Sequence, residues 1–148
     1  MWPDPRVERV VTRNFLPVRV HVRDAEKYRK YSEQYGAEWT PTTLLLDAEG
    51  EERHRLEGFL PLEDFIPQLE LGAARIALSG GDFEGAAKQY AHIVEKHGES
   101  DAAPEAQYWA GVARYKATGD KAALKETAAA FRERFSDSSW AKKSSVWG

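Results

Sequence analysis

The residue types that most often carry catalysis are few and scattered in this sequence. The four histidines are His21, His54, His92 and His97, and the last two lie five positions apart. On one continuous helix that spacing points two side chains in different directions rather than at one ion. The sequence therefore predicts four surface histidines and no metal site.

The common catalytic and cofactor-binding motifs are absent. The sequence contains no Gly-rich phosphate loop, no His-Glu-x-x-His and no Gly-x-Ser-x-Gly. Carboxylates are abundant, but Glu49, Glu51 and Glu52 crowd a turn, and Glu63 and Asp64 fit the first turn of a helix, where the helix dipole favours them. No paired acid and base for hydrolysis can be singled out. We predict no cofactor and no catalytic residue in the chain.

Composition excludes further classes of function. None of the 148 residues is cysteine, which excludes disulfides, thiolate metal sites and thiol catalysis within the chain. A formal net charge of -3, from 21 basic and 24 acidic side chains, is not the basic excess of a nucleic-acid-binding protein. No apolar run reaches the roughly 18 residues that span a bilayer. The segment MWPDPRVERVV lacks an apolar signal region, so we expect a cytoplasmic protein without a membrane partner.

The N-terminal half alternates helical and extended patterns. Asp4 followed by Pro5 predicts the start of a helix that continues to Phe15. Alternating valines predict a strand with one buried face over residues 16–22. A second helix is predicted from Asp24 to Gly36, with an inner stripe at Tyr28, Tyr31 and Tyr35.

A β-hairpin and a long helix are predicted next. Residues 42–46 form a short apolar strand, residues 47–50 a turn that needs a positive φ at Gly50, and residues 51–59 an antiparallel return strand. Residues 62–78 have a helical pattern that contains Pro67, and the inward positions are Phe65, Ile66, Leu69, Ala73 and Ile76.

Beyond residue 70 the sequence becomes rich in alanine and almost entirely helical. Gly81-Asp82 recurs 38 positions later as Gly119-Asp120, and other matches at the same shift fall on caps and packing positions. The period is a little longer than the roughly 34 residues of a tetratricopeptide (TPR) unit. We interpret residues 71–148 as a TPR-like region of about one and a half helical hairpins. Because about three repeats are usually needed for independent stability, we expect this region to lean on residues 1–70.

The N-terminal half resembles the thioredoxin fold, from the second half of its second helix onward. The resemblance rests on FLPVRVHV, YGAEWTPTTLLLDAEGE and RLEGFLPLEDFIPQLE. In that family a Thr-Pro pair at this place carries a cis proline beside the active-site cysteines, so the resemblance implies a cis bond before Pro41. The added helices, with QYWAGVARYKATGD, resemble the TPR-like tail of some bacterial thioredoxin-family proteins. The expected fold is α/β plus α, an incomplete thioredoxin-like unit followed by antiparallel helices.

The sequence departs from the family in two places. The family's Cys-x-x-Cys pair and the central strand before it have no counterpart, and residues 1–3 stand just past the position of the second cysteine. In the family that strand lies between the equivalents of residues 16–22 and 42–46, and buried backbone groups without partners cost roughly 1–3 kcal/mol each. Three resolutions of the missing central strand stay open. The two remaining strands pair directly, a second chain fills the gap, or the sequence is N-terminally shortened, which would also have removed any signal peptide.

By this resemblance Trp39, Thr40, Pro41 and Thr42 are the candidate peptide-binding residues. Trp39 either stands exposed at a substrate groove or covers the hairpin, and Trp109, Trp140 and Trp147 either pack between helices or line a partner-binding face. We expect a non-catalytic module that binds a protein or an extended peptide. The alternatives are a shortened thiol–disulfide oxidoreductase with upstream cysteines and a homodimer that closes the sheet gap.

Overall fold

The computed structural model describes residues 4–148. The elements in chain order are α1 (Pro5–Asn14), α2 (Ala25–Tyr35), β1 (Thr42–Leu46), β2 (Glu52–Glu57), α3 (Leu62–Ser79), α4 (Phe83–Lys96), α5 (Ala102–Thr118), α6 (Ala122–Glu133), α7 (Ser139–Ser144) and a 3-10 helix (Ser145–Trp147). This is a mixed α/β unit followed by a helical extension, as predicted. None of the helices within residues 4–148 combines the length and the apolar character needed to cross a bilayer.

The two strands form an antiparallel hairpin. Leu45 lies opposite His54, and Thr43 lies opposite Leu56. The turn is fixed by the Asp47 carboxylate, which accepts hydrogen bonds from the backbone N–H of Glu51 at 2.9 Å, and Gly50 has a φ of 83°. The predicted β1 is confirmed residue for residue, whereas β2 is shorter at both ends than the predicted 51–59.

The predicted strand over residues 16–22 is wrong. Helix α1 ends at Asn14, and the segment before α2 contains no strand, while Leu16 is 93% exposed and Val18 75% exposed. The sheet in the described residues consists of β1 and β2 alone. Alternating valines satisfy the side-chain pattern of a strand, but the backbone needs a neighbouring strand to pair with. Direct pairing of this segment with β1, one of the three resolutions, is therefore excluded in this structure.

Helix α2 has the predicted bounds but not the predicted packing. Asp24 caps its start, and Gly36 ends it in the left-handed conformation, with a φ of 62°. The tyrosine stripe at Tyr28, Tyr31 and Tyr35 is only half-buried, and α2 buries no residue. Within the described part of the chain, α2 packs against no other helix or strand.

Helix α3 is shared by two hydrophobic clusters. Toward its N-terminus Phe65, Ile66 and Leu69 pack with α1 and the hairpin, in a cluster that includes Val7, Val11, Leu45 and Leu56. Leu71 and Ala74 belong to a second cluster with the helical extension, which includes Ala86, Tyr90, Ile93, Ala102, Ala106 and Ala113. Among the predicted inward residues, Ala73 and Ile76 are only half-buried. The helix runs through the predicted division near residue 70 without a break.

The helical extension adds each helix to the one before it: α4 packs on α3, α5 on α4, α6 on α5, and α7 on both α5 and α6. The repeat positions have the predicted local roles except Asp120, which precedes Lys121, the N-cap of α6. Gly81 and Gly119 both have positive φ, while Asp82 accepts a hydrogen bond from Gly85 N–H and Asp120 from Ala122 N–H. Phe135 was predicted to continue the helical stripe of Phe131. It does not, because it lies beyond the end of α6.

The tryptophans of the extension pack on one another. Trp109 and Trp140 lie 6.4 Å apart between ring centroids, and Tyr108 contacts both of them as well as Trp147. This aromatic cluster joins α5 to α7 and the 3-10 helix. These ring contacts agree with packing between helices, and all three tryptophans remain half-buried.

Replacing Gly72 by alanine is expected to loosen α3 from the hairpin. A Cβ at Gly72 would overlap Leu45 Cδ2 and lie 3.2 Å from both Leu45 Cγ and His54 Cβ. Overpacking of this kind costs about 1–3 kcal/mol, which urea denaturation would measure as a lower free energy of unfolding. The control is Gly80→Ala at the end of α3, where the nearest atom would lie at 3.4 Å and the effect should be small. Equal stability of both variants would contradict the close approach.

The turn carboxylate should make stability depend on pH. Hydrogen bonds from the backbone N–H of Glu51 and from the Arg53 guanidinium lower the pKa of Asp47. A group whose pKa is lower in the folded state stabilises it above its unfolded pKa of about 3.9, and this contribution is lost as pH falls through the folded pKa. Asp47→Asn should therefore flatten the acid limb of the stability curve measured by urea denaturation, whereas Glu49→Gln should not. An unchanged acid limb in Asp47→Asn would contradict this role.

Candidate functional site

The candidate site is the Trp39 loop, residues 39–42, which leads from α2 into β1. The peptide bond between Thr40 and Pro41 is cis, as the resemblance implied. Thr42 Oγ1 donates a hydrogen bond to the Trp39 carbonyl at 2.5 Å, and Gly58 N–H donates to the Pro41 carbonyl at 2.8 Å. The first bond closes the loop on itself, and the second ties it to the residue that follows β2.

The indole of Trp39 is not used to cover the hairpin. Its exposed fraction is 68%, which contradicts the second of the two predictions made for it. Phe59, just beyond β2, is 73% exposed. Because the Gly58 N–H is hydrogen-bonded to the Pro41 carbonyl, Trp39 and Phe59 lie at the same end of the hairpin. Phe59 was predicted to lie inside β2 and not at the site, although the preceding Gly58, which has a φ of 88°, is a signal for the end of a strand.

Strand β1 has one paired edge. It is hydrogen-bonded to β2 and, within residues 4–148, to no other strand, so its second edge carries backbone N–H and C=O groups without strand partners. Such an edge is a template for pairing with another extended chain. The Trp39 loop lies directly before this strand.

Arg55 ties the hairpin to the end of α2, directly before the loop. Its guanidinium donates hydrogen bonds to the backbone carbonyls of Tyr35 and Gly36, the latter at 3.2 Å. Glu52 and Glu57 hold the same guanidinium at 2.6 and 3.0 Å, and these hydrogen bonds raise the pKa of Arg55. A cation is favourable at this position because the C-terminal end of a helix carries partial negative charge.

The histidine predictions are partly wrong. His21 lies in the segment without a strand, and His54 on β2 is half-buried, with its Nε2 2.7 Å from Gln68 Oε1. His92 and His97 were expected to point apart, but their ring centroids lie 6.3 Å from each other. The reason is that α4 ends at Lys96, so His97 is the C-cap, with φ -129° and ψ 37°, and is no longer governed by helical spacing. The following Gly98 was the sequence signal for that end.

Arg55→Ala is expected to release α2 from the hairpin. Loss of the bonds to the two carbonyls should speed hydrogen exchange of the α2 amides by about tenfold, since a cation at a helix end contributes up to ~2 kcal/mol. Arg53→Ala is the matched control, because Arg53 pairs with Asp47 in the turn and does not reach α2. Exchange rates in α2 that are the same in both variants would contradict the role of Arg55.

Comparison with known proteins supplies a family assignment. Residues 1–73 match a family model described as a thioredoxin-like domain. The match covers α1, α2, the hairpin and most of α3, and so includes the Trp39 loop. No curated protein and no solved structure matches the chain significantly.

Proposed function

We propose that this chain, whose residues 1–73 match the model of a thioredoxin-like domain, is a non-catalytic module that binds an extended peptide at the Trp39 loop. The observation that carries the proposal is a 68% exposed indole on a loop that is closed by an internal hydrogen bond and tied at Pro41 to Gly58 beyond β2. A binding surface that is already fixed loses little conformational entropy when its ligand arrives.

The unpaired edge of β1 supports an extended ligand. A peptide that added itself to this edge would gain main-chain hydrogen bonds, and pockets for its side chains would supply specificity. Trp39 and Phe59, at one end of the hairpin, would favour a peptide with an apolar or aromatic side chain at the matching position. Burying an exposed indole of this size contributes roughly 2 kcal/mol.

The sequence itself argues against catalysis by this chain alone. Thiol–disulfide exchange begins with attack by a thiolate, and none of the 148 residues is cysteine. The second candidate function, a thiol–disulfide oxidoreductase, is favoured by the family match and would need cysteines outside this sequence. Intact mass and thiol titration of the protein from its natural source would decide between the two, because a longer chain with reactive thiols would support the oxidoreductase.

The helical extension has a secondary role in the proposed binding function. We interpret residues 71–148 as a TPR-like region that contributes a second surface for a protein partner. Its packing on α3, which also carries the hairpin, would link that surface to the peptide site. A homodimer through the open edge of β1 is the competing use of the same edge.

Trp39→Ala is expected to weaken peptide binding without unfolding the protein. Peptides selected from a displayed random library on the intact chain should bind the variant roughly 10- to 100-fold less tightly, the equivalent of about 1.4–2.8 kcal/mol. Val146→Ala is the control, because Val146 is an 83% exposed apolar residue of the extension. Thermal unfolding should be unchanged in both variants.

Two outcomes would contradict the proposal. Selected peptides that bind Trp39→Ala and the parent chain equally well would place the binding surface elsewhere. A dimer in light scattering that dissociates when peptide is added would leave the proposal standing, whereas a stable dimer that excludes all peptides would show that a second copy occupies the β1 edge.

A further inference from the structure

A second cluster of potentially reactive side chains lies outside the Trp39 loop, between α3 and the end of α4. Glu70, His92 and His97 each direct one ligand atom into a common space, and these three atoms all lie within 4.8 Å of one another. Glu70 Oε2 is 3.1 Å from His97 Nε2, and Glu70 Oε1 is 4.0 Å from His92 Nε2. We propose that this cluster binds a divalent transition-metal ion, with Zn²⁺ as the preferred occupant.

The distances suit a zinc ion after small side-chain movements. Bonds of about 2.0–2.2 Å in tetrahedral geometry place neighbouring ligand atoms roughly 3.3 Å apart. The 3.1 Å between Glu70 Oε2 and His97 Nε2 is already close to this value, so the principal adjustment is to bring His92 inward. The His92 side chain is 53% exposed, which leaves it free to rotate and gives an ion a path from solvent.

The carboxylate of Glu70 independently indicates that this cluster binds a ligand. Its Oε2 atom is buried and has no hydrogen-bond partner in the described part of the chain. Although His97 Nε2 lies at 3.1 Å, the geometry of this pair is not that of a hydrogen bond. Buried polar atoms are nearly always satisfied, because leaving one without a partner costs about 1–3 kcal/mol. A bound cation would satisfy this oxygen.

The donor set indicates which ion the site would prefer. Two imidazole nitrogens and one carboxylate oxygen suit Zn²⁺ better than Ca²⁺ or Mg²⁺, which favour oxygen ligands alone. The cluster has three members within residues 4–148. A tetrahedral ion would therefore keep its fourth position for water or an external ligand, as in zinc sites with three protein ligands.

An ion bound at this cluster would also stabilise the fold, because the three ligands come from two helices. Glu70 belongs to α3, His92 to the last turns of α4, and His97 is the residue that ends α4. An ion bound by all three would cross-link two helices that meet at the start of the extension. Binding to the folded state alone raises its stability by mass action.

The test is zinc titration of the intact, metal-stripped chain by calorimetry, with thermal unfolding as a second readout. The parent chain should bind one Zn²⁺ and unfold at a higher temperature when zinc is present. His92→Ala, His97→Ala and Glu70→Gln should each weaken binding by about 100-fold or more, because even an outer-shell change costs about 10- to 100-fold. His21→Ala is the matched control, since it removes an exposed histidine outside the cluster.

Cobalt gives a readout that does not depend on stability. Co²⁺ bound in tetrahedral geometry should give the intense visible absorption of that geometry in the parent chain and His21→Ala, and not in His97→Ala. The proposal is overturned if zinc leaves the unfolding temperature of the parent chain unchanged and no binding heat is seen. It is also overturned if His21→Ala loses as much affinity as His92→Ala.

Discussion

The contact between the hairpin and α3 is the interaction on which the rest of the structure depends. A hairpin of two strands is marginally stable in water unless a hydrophobic face is covered. Here Leu45 and Leu56 are covered by Phe65, Ile66 and Leu69 of α3, and Gly72 permits the close approach. The same helix then turns other residues toward α4 and α5. The sheet unit and the helical extension therefore share one structural support.

Features that local chemistry determines could be predicted from the sequence. Asp4, Asp24 and Asp82 cap the helices they were expected to begin, and Gly36, Gly50 and Gly119 occupy positive-φ positions at ends and turns. Each depends on a hydrogen bond or a backbone conformation within a few residues, so the local sequence carries the information. The Trp39 loop belongs to this group, because residue types and a family resemblance located it between α2 and β1.

The failed predictions involve contacts between distant segments. Val18 and its neighbours alternate correctly, yet residues 16–22 form no strand, because strand formation needs a pairing edge that alternation does not supply. The tyrosine stripe of α2 has helical spacing, yet in the described residues no element covers it. The error at His92 and His97 is local by contrast: the prediction assumed a continuous helix, but α4 ends at Lys96 and the non-helical backbone of His97 brings the two rings together.

The position of the Trp39 loop does not depend on a thiol, so the proposed peptide binding is compatible with a chain that has no cysteine. The Trp39 loop is positioned by hydrogen bonds from Thr42 and Gly58, and α2 is tethered through Arg55; none of these contacts involves a thiol. Recognition of an extended chain needs only a fixed loop, an exposed apolar side chain and backbone groups that lack partners. The cluster at Glu70, His92 and His97 lies instead between α3 and the end of α4, where the proposed ion would strengthen the contact between these two helices.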